Sequence, residues 1–207
     1  MILPPGFRGA AFGAAADGDG RSHSEARRAV SEHLGIPEAW AWLHQVHGRG
    51  VLRAEGPGCL GEADAMFTTV TGLPLAVGTA DCFPVVVAAE AASGIAHAGW
   101  RGVAAGVVPA LAAAMEAAGH LPRRSAIGPG IGPCCFEVGP EVGARFPGHR
   151  ARTSWGAPSI DLGAAIASQL GGIVVWVAPQ CTHCDPAYRS YRRDRTRHRQ
   201  VGLAWEP

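Results

Sequence analysis

Cys82 and His97 are the two residues whose types and spacing are best suited to chemistry. Cys82 lies in Thr79-Ala80-Asp81-Cys82-Phe83-Pro84, and His97 opens His97-Ala98-Gly99-Trp100-Arg101-Gly102. Residues 85–89 and 93–96 between them read as two short buried strands, so the thiol enters one strand and the imidazole leaves the next. A soft thiolate and an imidazole at neighbouring strand ends suit either a nucleophile with its base or part of a metal site. A third group decides between these, and His47 in Leu43-His44-Gln45-Val46-His47-Gly48 is the upstream candidate. His44 is the alternative, because a strand points these two histidines to opposite faces. His47 is preferred because Gly48 frees the turn beside it. Converging, His47, Cys82 and His97 offer three donors of the kind zinc prefers and leave a fourth position open, which is a catalytic arrangement.

The neighbours of these residues add binding chemistry. Asp81 can orient a ligand through a hydrogen bond. Trp100 offers a flat apolar face for stacking, and Arg101 a fixed positive fork for an anion. Gly99 and Gly102 are expected to let the backbone turn sharply. The other cysteines read less clearly. Cys181-Thr182-His183-Cys184 has the spacing of half a zinc knuckle or a redox pair, but Cys134 and Cys135 are adjacent and point apart in any regular strand. A four-thiolate site is therefore not expected, and this segment is assigned to the pocket wall. Cys59, in a Pro-Gly loop, receives no function.

The elements that must position these groups are mixed in order. Residues 24–34 read as a helix capped by Ser22 or Ser24 and ended by Gly35. Strands follow at residues 40–46, 64–69 and 73–79, so several strands arrive before the next helix. Residues 103–118 have helical composition, with Pro109 marking a kink or a true first turn. A Gly/Pro-rich loop covers residues 127–135, Asp161 caps a helix through residue 170, and residues 173–177 read as a buried strand. The order argues for an α/β fold, an α/β/β/α-type sandwich with a mixed β-sheet in one domain over residues 1–207, in preference to a doubly wound parallel sheet.

Composition excludes several functions. The formal net charge of +1 predicts neither nucleic acid nor membrane as a partner. There is no lysine, which rules out Schiff-base catalysis. Arg189, Arg192, Arg193, Arg195, Arg197 and Arg199 do cluster around Tyr188 and Tyr191. An RNA-binding module is the non-enzymatic alternative they raise; a phosphate-bearing substrate needs only two or three of them. The N-terminus lacks a basic region followed by an apolar segment, so a cytoplasmic protein with reduced cysteines is expected.

Laid side by side, these segments resemble the multicopper polyphenol oxidase, or laccase-domain, family, now regarded as purine nucleoside phosphorylases. The resemblance runs from about His44 to Trp205. It rests on Gln45-Val46-His47-Gly48, Asp64-Ala65, the Cys82 and His97 segments, Ile127-Gly128-Pro129 with Ile131-Gly132-Pro133-Cys134-Cys135-Phe136-Glu137-Val138, Cys181-Thr182 and Ser190-Tyr191-Arg192-Arg193-Asp194. It implies zinc at His47, Cys82 and His97, and phosphorolysis of adenosine, inosine, guanosine and methylthioadenosine, with adenosine deamination as a side activity. The older name implies copper and a polyphenol oxidase, but one cysteine and two histidines do not build a multicopper centre, so zinc is favoured. Catalytic roles then fall to Cys82, His97, Arg101 and Asp81, and substrate binding to Trp100, Arg192 and Arg193. The partners are a purine nucleoside and phosphate, in a monomer or homodimer. The rival enzyme is a metal-free Cys82/His97 hydrolase or deamidase. Residues 12–23 are shorter than the Asn-Leu-Gly-Leu-His-Val-Gly-Asp-like segment usual before the first helix of this family.

Overall fold

The central strands, over residues 65–68, 75–79, 83–88 and 93–98, are buried at every position, and successive side chains face opposite layers. The computed structural model describes residues 1–207, the side chain of Val174 apart. In chain order the elements are β1 (Ala10–Phe12), α1 (Ser24–Leu34), β2 (Ala41–His44), β3 (Val51–Arg53), β4 (Gly58–Glu62), β5 (Ala65–Thr68), β6 (Leu75–Thr79), β7 (Phe83–Ala88) and β8 (Ser93–Ala98). There follow α2 (Trp100–Ala105), α3 (Val107–Ala117), β9 (Arg124–Ile127), α4 (Pro140–Gly143), β10 (Arg150–Arg152), β11 (Pro158–Ile160), α5 (Leu162–Gln169), β12 (Val174–Val177), α6 (Tyr191–Asp194) and β13 (Gln200–Ala204).

Two mixed sheets form the centre. One has the order β1-β13-β6-β2-β4 and the other β12-β9-β7-β8-β5-β3; β10 and β11 make a separate hairpin. In β7, Val86 faces the first sheet and packs with Phe12, Leu43, Leu75 and Val77. Its neighbours Val85 and Val87 point the other way, onto Val107, Leu111 and Met115 of α3 and Ile166 of α5. The outer face of the first sheet, through Ala76, Val201 and Leu203, meets Val30 and Leu34 of α1. The layers are thus helix, sheet, sheet, helix, the α/β architecture with mixed strands expected from the element order.

Some local expectations shift. His23 is the N-cap of α1 and no serine side chain caps it, whereas Gly35 does end it in the left-handed conformation. The expected helix over residues 103–118 is two helices broken at Gly106, which has φ of +84°; Pro109 falls in the first turn of the second. The strand near residues 173–177 is a sheet edge, paired on one side with β9, and Val177 is 45% exposed. Asp161 caps α5 as expected, accepting a hydrogen bond from the Ala164 amide at 2.8 Å. No helix among the described residues is long and apolar enough to cross a membrane.

Candidate active site

Strand register brings the three expected donors together. β7 and β8 are antiparallel with Pro84 opposite His97, so Cys82, just before β7, lies beside the end of β8. His47 arrives from the other sheet, in the turn after β2. One ligating atom from each of His47, Cys82 and His97 lies within 4.8 Å of the others. The two imidazoles meet edge to face with centroids 4.8 Å apart. His97 is buried, Cys82 half-buried and His47 exposed. His44 lies outside this group but lines the same cavity.

The turn is held by a carboxylate to which sequence reasoning gave no role. Asp64 is fully buried, and its oxygens accept hydrogen bonds from three successive amides, Val46 at 3.2 Å, His47 at 2.9 Å and Gly48 at 2.6 Å. Pairing of β5 with β8 sets Ala65 opposite Ala96, which places Asp64 beside His97. His97 donates its backbone amide to the Asp64 carbonyl at 2.7 Å and its Nδ1–H to the carboxylate at 2.8 Å. Burial alone would raise the Asp64 pKa, but these hydrogen bonds hold it below the ordinary value. An ionised Asp64 only accepts, so it fixes the Nδ1–H tautomer of His97 and leaves Nε2 toward Cys82.

Asp81, expected to orient a ligand, does something else. Its carboxylate accepts from the Thr182 hydroxyl at 2.8 Å and the Arg192 amide at 2.6 Å, tying the loop before β7 to the C-terminal segment. The reason is geometric: Asp81 has φ of +84° and lies on the cavity wall, while Asp64 holds the position next to His97. The glycines also act differently from expectation. His47 itself, not Gly48, is left-handed, at φ of +60°. Gly99 is extended, and its requirement is space, since a Cβ there would lie 2.9 Å from the Cys82 sulfur and 3.1 Å from the His47 ring.

Burial pushes the Cys82 thiol pKa up, but His97 and His47 overcome this and bring it down to about 6. Burial would likewise lower the His97 pKa, but Cys82 and Asp64 raise it to about 9. These shifts favour a carboxylate–imidazolium–thiolate row of Asp64, His97 and Cys82, in which an ion at the site would take the place of the His97 Nε2 proton.

A cavity of about 580 Å³ opens over these groups. Trp100 and Arg101 at the start of α2 line it, with the Arg101 guanidinium 4.3 Å from the Trp100 ring centroid. Arg192 lines it too, 5.3 Å from the Phe136 ring centroid and bonded to the Glu137 carbonyl. Arg193 does not. Its guanidinium is taken up by the carbonyls of Thr182, His183, Asp185 and Tyr188 and by Asp194, so its substrate-binding assignment is replaced by a loop-holding one. Arg21, which sequence reasoning passed over, enters the cavity from the shortened segment before α1. It pairs with Asp19 at 2.8 Å, bonds Gln45, and fills the space a side chain at Gly78 would need. Among the described residues, the non-glycine positions with positive φ are His47, Asp81 and Arg195, and all three line this cavity. Such strain collects at working sites.

A family model described as multi-copper polyphenol oxidoreductase laccase matches residues 5–206. The chain belongs to this family. Among its relatives, the protein named purine nucleoside phosphorylase ORF3 of Streptomyces griseus is 41% identical over 195 residues, covering 86% of this chain and 79% of that one. A purine nucleoside phosphorylase of Deinococcus radiodurans is 36% identical, covering 90% and 77%. The crystal structure of YlmD from Geobacillus stearothermophilus superposes with a TM-score of 0.80 at 29% identity, covering 91% of this chain and 82% of that one. The family is metal-associated by its description, and the His47, Cys82 and His97 donors fit an ion: a thiol held as thiolate, and an imidazole whose far nitrogen is already committed to a carboxylate.

Proposed function

We propose that the chain is a zinc-dependent purine nucleoside phosphorylase, splitting adenosine, inosine, guanosine or methylthioadenosine with inorganic phosphate. The observation that carries this reading is one cavity that combines a His-Cys-His donor set, an indole face and several guanidinium groups. Its volume is within the range of small-ligand pockets, about 300–1,000 Å³. Relatives that bear the phosphorylase name at 41% and 36% identity support the reaction.

His47, Cys82 and His97 would hold the zinc, which when bound supplies a Lewis acid for charge developing in the transition state. Arg101 and Arg192 would bind phosphate, each as a rigid fork of N–H donors. Trp100 would stack on the purine. A phosphate oxygen bonds to the anomeric carbon as the glycosidic C–N bond breaks; the bonding pair leaves with the purine, which takes up a proton. The protein contributes chiefly orientation and fixed positive charge. The test is adenosine incubated with and without phosphate. Adenine and ribose 1-phosphate are expected only with phosphate; inosine as the sole product would replace phosphorolysis by deamination.

The Asp64, His97 and Cys82 row supports a second reading, a metal-free cysteine hydrolase. In metal-stripped protein, the rate of Cys82 alkylation by iodoacetamide should rise with pH to a midpoint near 6, because the thiolate is the reacting form. Zinc should suppress that reaction and restore phosphorolysis. Activity that survives chelation and is lost on alkylation would favour the hydrolase.

A further inference from the structure

Four cysteines outside the cavity wall converge where none was expected to. Cys134 and Cys135 are not in a strand: the amides of Cys135 and Phe136 both donate to the Gly132 carbonyl at 3.0 Å, so the segment curls and its two thiols share a side. The amides of Cys184 and Asp185 close the same kind of turn on the Cys181 carbonyl, at 3.1 and 3.0 Å. The two loops follow the parallel strands β9 and β12 and therefore leave the sheet at the same end. A bridge between Gly130 and Cys181 holds them together. All four sulfurs lie within 4.8 Å of one another, with Cys135 to Cys184 at 3.3 Å and Cys134 to Cys184 at 3.6 Å.

We propose that Cys134, Cys135, Cys181 and Cys184 form a second metal centre, a closed tetrathiolate site for zinc that fastens these two loops together. Tetrahedral zinc with bonds of ~2.3 Å sets its sulfurs about 3.8 Å apart, close to the spacing found. Burial and the neighbouring thiols push the Cys134 and Cys135 pKa values up, so gathering four thiolates here calls for a cation between them. The Gly132 amide donates to the Cys181 sulfur at 3.1 Å, and this bond lowers the Cys181 pKa against the effect of burial. A Cβ at Gly132 would press on Cys134 and Cys181, each at 3.3 Å. Arg193 donates to the carbonyls of Thr182, His183 and Asp185 and so holds the 181–185 turn in place. All four cysteines are free thiols, and a single ion at their centre engages every one of them. Four protein donors leave no position for substrate, which makes the site structural.

The loops so fastened reach the active-site cavity. Phe136, next to Cys135, lines it, and Thr182, next to Cys181, holds Asp81. The experiment uses the full chain, purified under reducing conditions, with metal content read by mass spectrometry. A His47→Ala/Cys82→Ser double variant, which lacks the first centre, should retain one zinc per chain. Loaded instead with cobalt(II), it should show the intense thiolate-to-metal charge transfer of a four-sulfur site. Cys184→Ser, at an exposed position, should lose that ion and that spectrum. The wild-type cobalt spectrum needs no variant and should carry the same signature. A double variant that is folded by circular dichroism but holds no metal would overturn the proposal, as would four freely titrating thiols or an intact mass showing a disulfide.

Discussion

The chain gathers side chains able to ligate a metal at two places, and they differ in donor set and in backbone setting. His47, Cys82 and His97 stand at strand ends on the floor of a cavity, with a buried carboxylate behind them. Cys134, Cys135, Cys181 and Cys184 stand on two loops outside the cavity lining. Left-handed backbone at His47 and Asp81 accompanies the first group, while residues 128–139 and 181–188 adopt no positive φ. A cluster of donors thus acquires its role from its setting. Three donors, strain and an adjoining cavity suit the proposed reactive site; four donors in turns without positive φ suit the proposed fastening.

The largest contrast comes from the donors themselves. Cys82→Ser should abolish zinc at the cavity and reduce phosphate-dependent base release by about 10³-fold or more, the several kcal/mol supplied by a Lewis acid. Cys184→Ser should leave turnover within about tenfold, since loss of the fastening displaces the wall without touching the reacting atoms, while the melting temperature falls. Equal losses of turnover in the two variants would erase the distinction. A Cys82→Ser protein that kept both zinc and phosphorolysis would remove the cavity assignment.

The two carboxylates sharpen the same contrast within the cavity. Asp64→Asn should weaken zinc binding about 10–100-fold, the usual cost of disturbing a ligand's hydrogen-bond partner. It should do so with Arg192 and Trp100 undisturbed. Asp81→Asn should leave zinc affinity unchanged and raise KM, because Asp81 holds Thr182 and Arg192. Metal titration combined with steady-state kinetics separates the two; a metal defect in Asp81→Asn would reverse the roles.

These carboxylates also mark how far the sequence could be read. The pairing of Cys82 with His97 is local: two short apolar runs joined by a few residues form a hairpin, and its ends meet. Asp64 reaches His97 only through the non-local register of β5 against β8, which strand periodicity does not set. Short β1 was hidden for the same reason, as it pairs with β13 from the other end of the chain. The four-cysteine cluster was missed because the adjacent cysteines were judged by the alternation of a regular strand although they fall in the Gly/Pro-rich loop, where the Gly132 turn puts them on one side. Arg192 and Arg193 are neighbours with different fates. Ser190 caps α6 by accepting from the Arg193 amide, and within that one turn Arg192 goes to the cavity and Arg193 to the loop carbonyls. No compositional signal distinguishes them.

Glycine substitutions test packing at the cavity site. Gly99→Ala forces a Cβ between Cys82 and His47 and should cost about 1–3 kcal/mol of stability, the range for overpacking, together with zinc affinity. Gly48→Ala is the control, since its Cβ would meet nothing nearer than 3.6 Å and its φ is not positive. Thermal melts and zinc titrations of the two proteins should therefore diverge; a tolerant Gly99→Ala would mean that the donors are not packed as described.

The smallest expected effect lies on a side chain that joins the two regions. Thr182 follows Cys181, is fully buried, and donates its hydroxyl to Asp81. Thr182→Val keeps the shape, removes that bond and should cost about 1 kcal/mol, the net worth of an ordinary hydrogen bond. Both metal centres should remain filled, because Thr182 ligates neither. KM should rise a few-fold as Asp81 loosens its hold on the wall carrying Arg192, with kcat nearly unchanged. If kcat fell instead, Asp81 would act on the reacting atoms and not on the wall. If neither parameter moved, the loops would be fastened by their sulfurs alone, and the two regions would be mechanically independent.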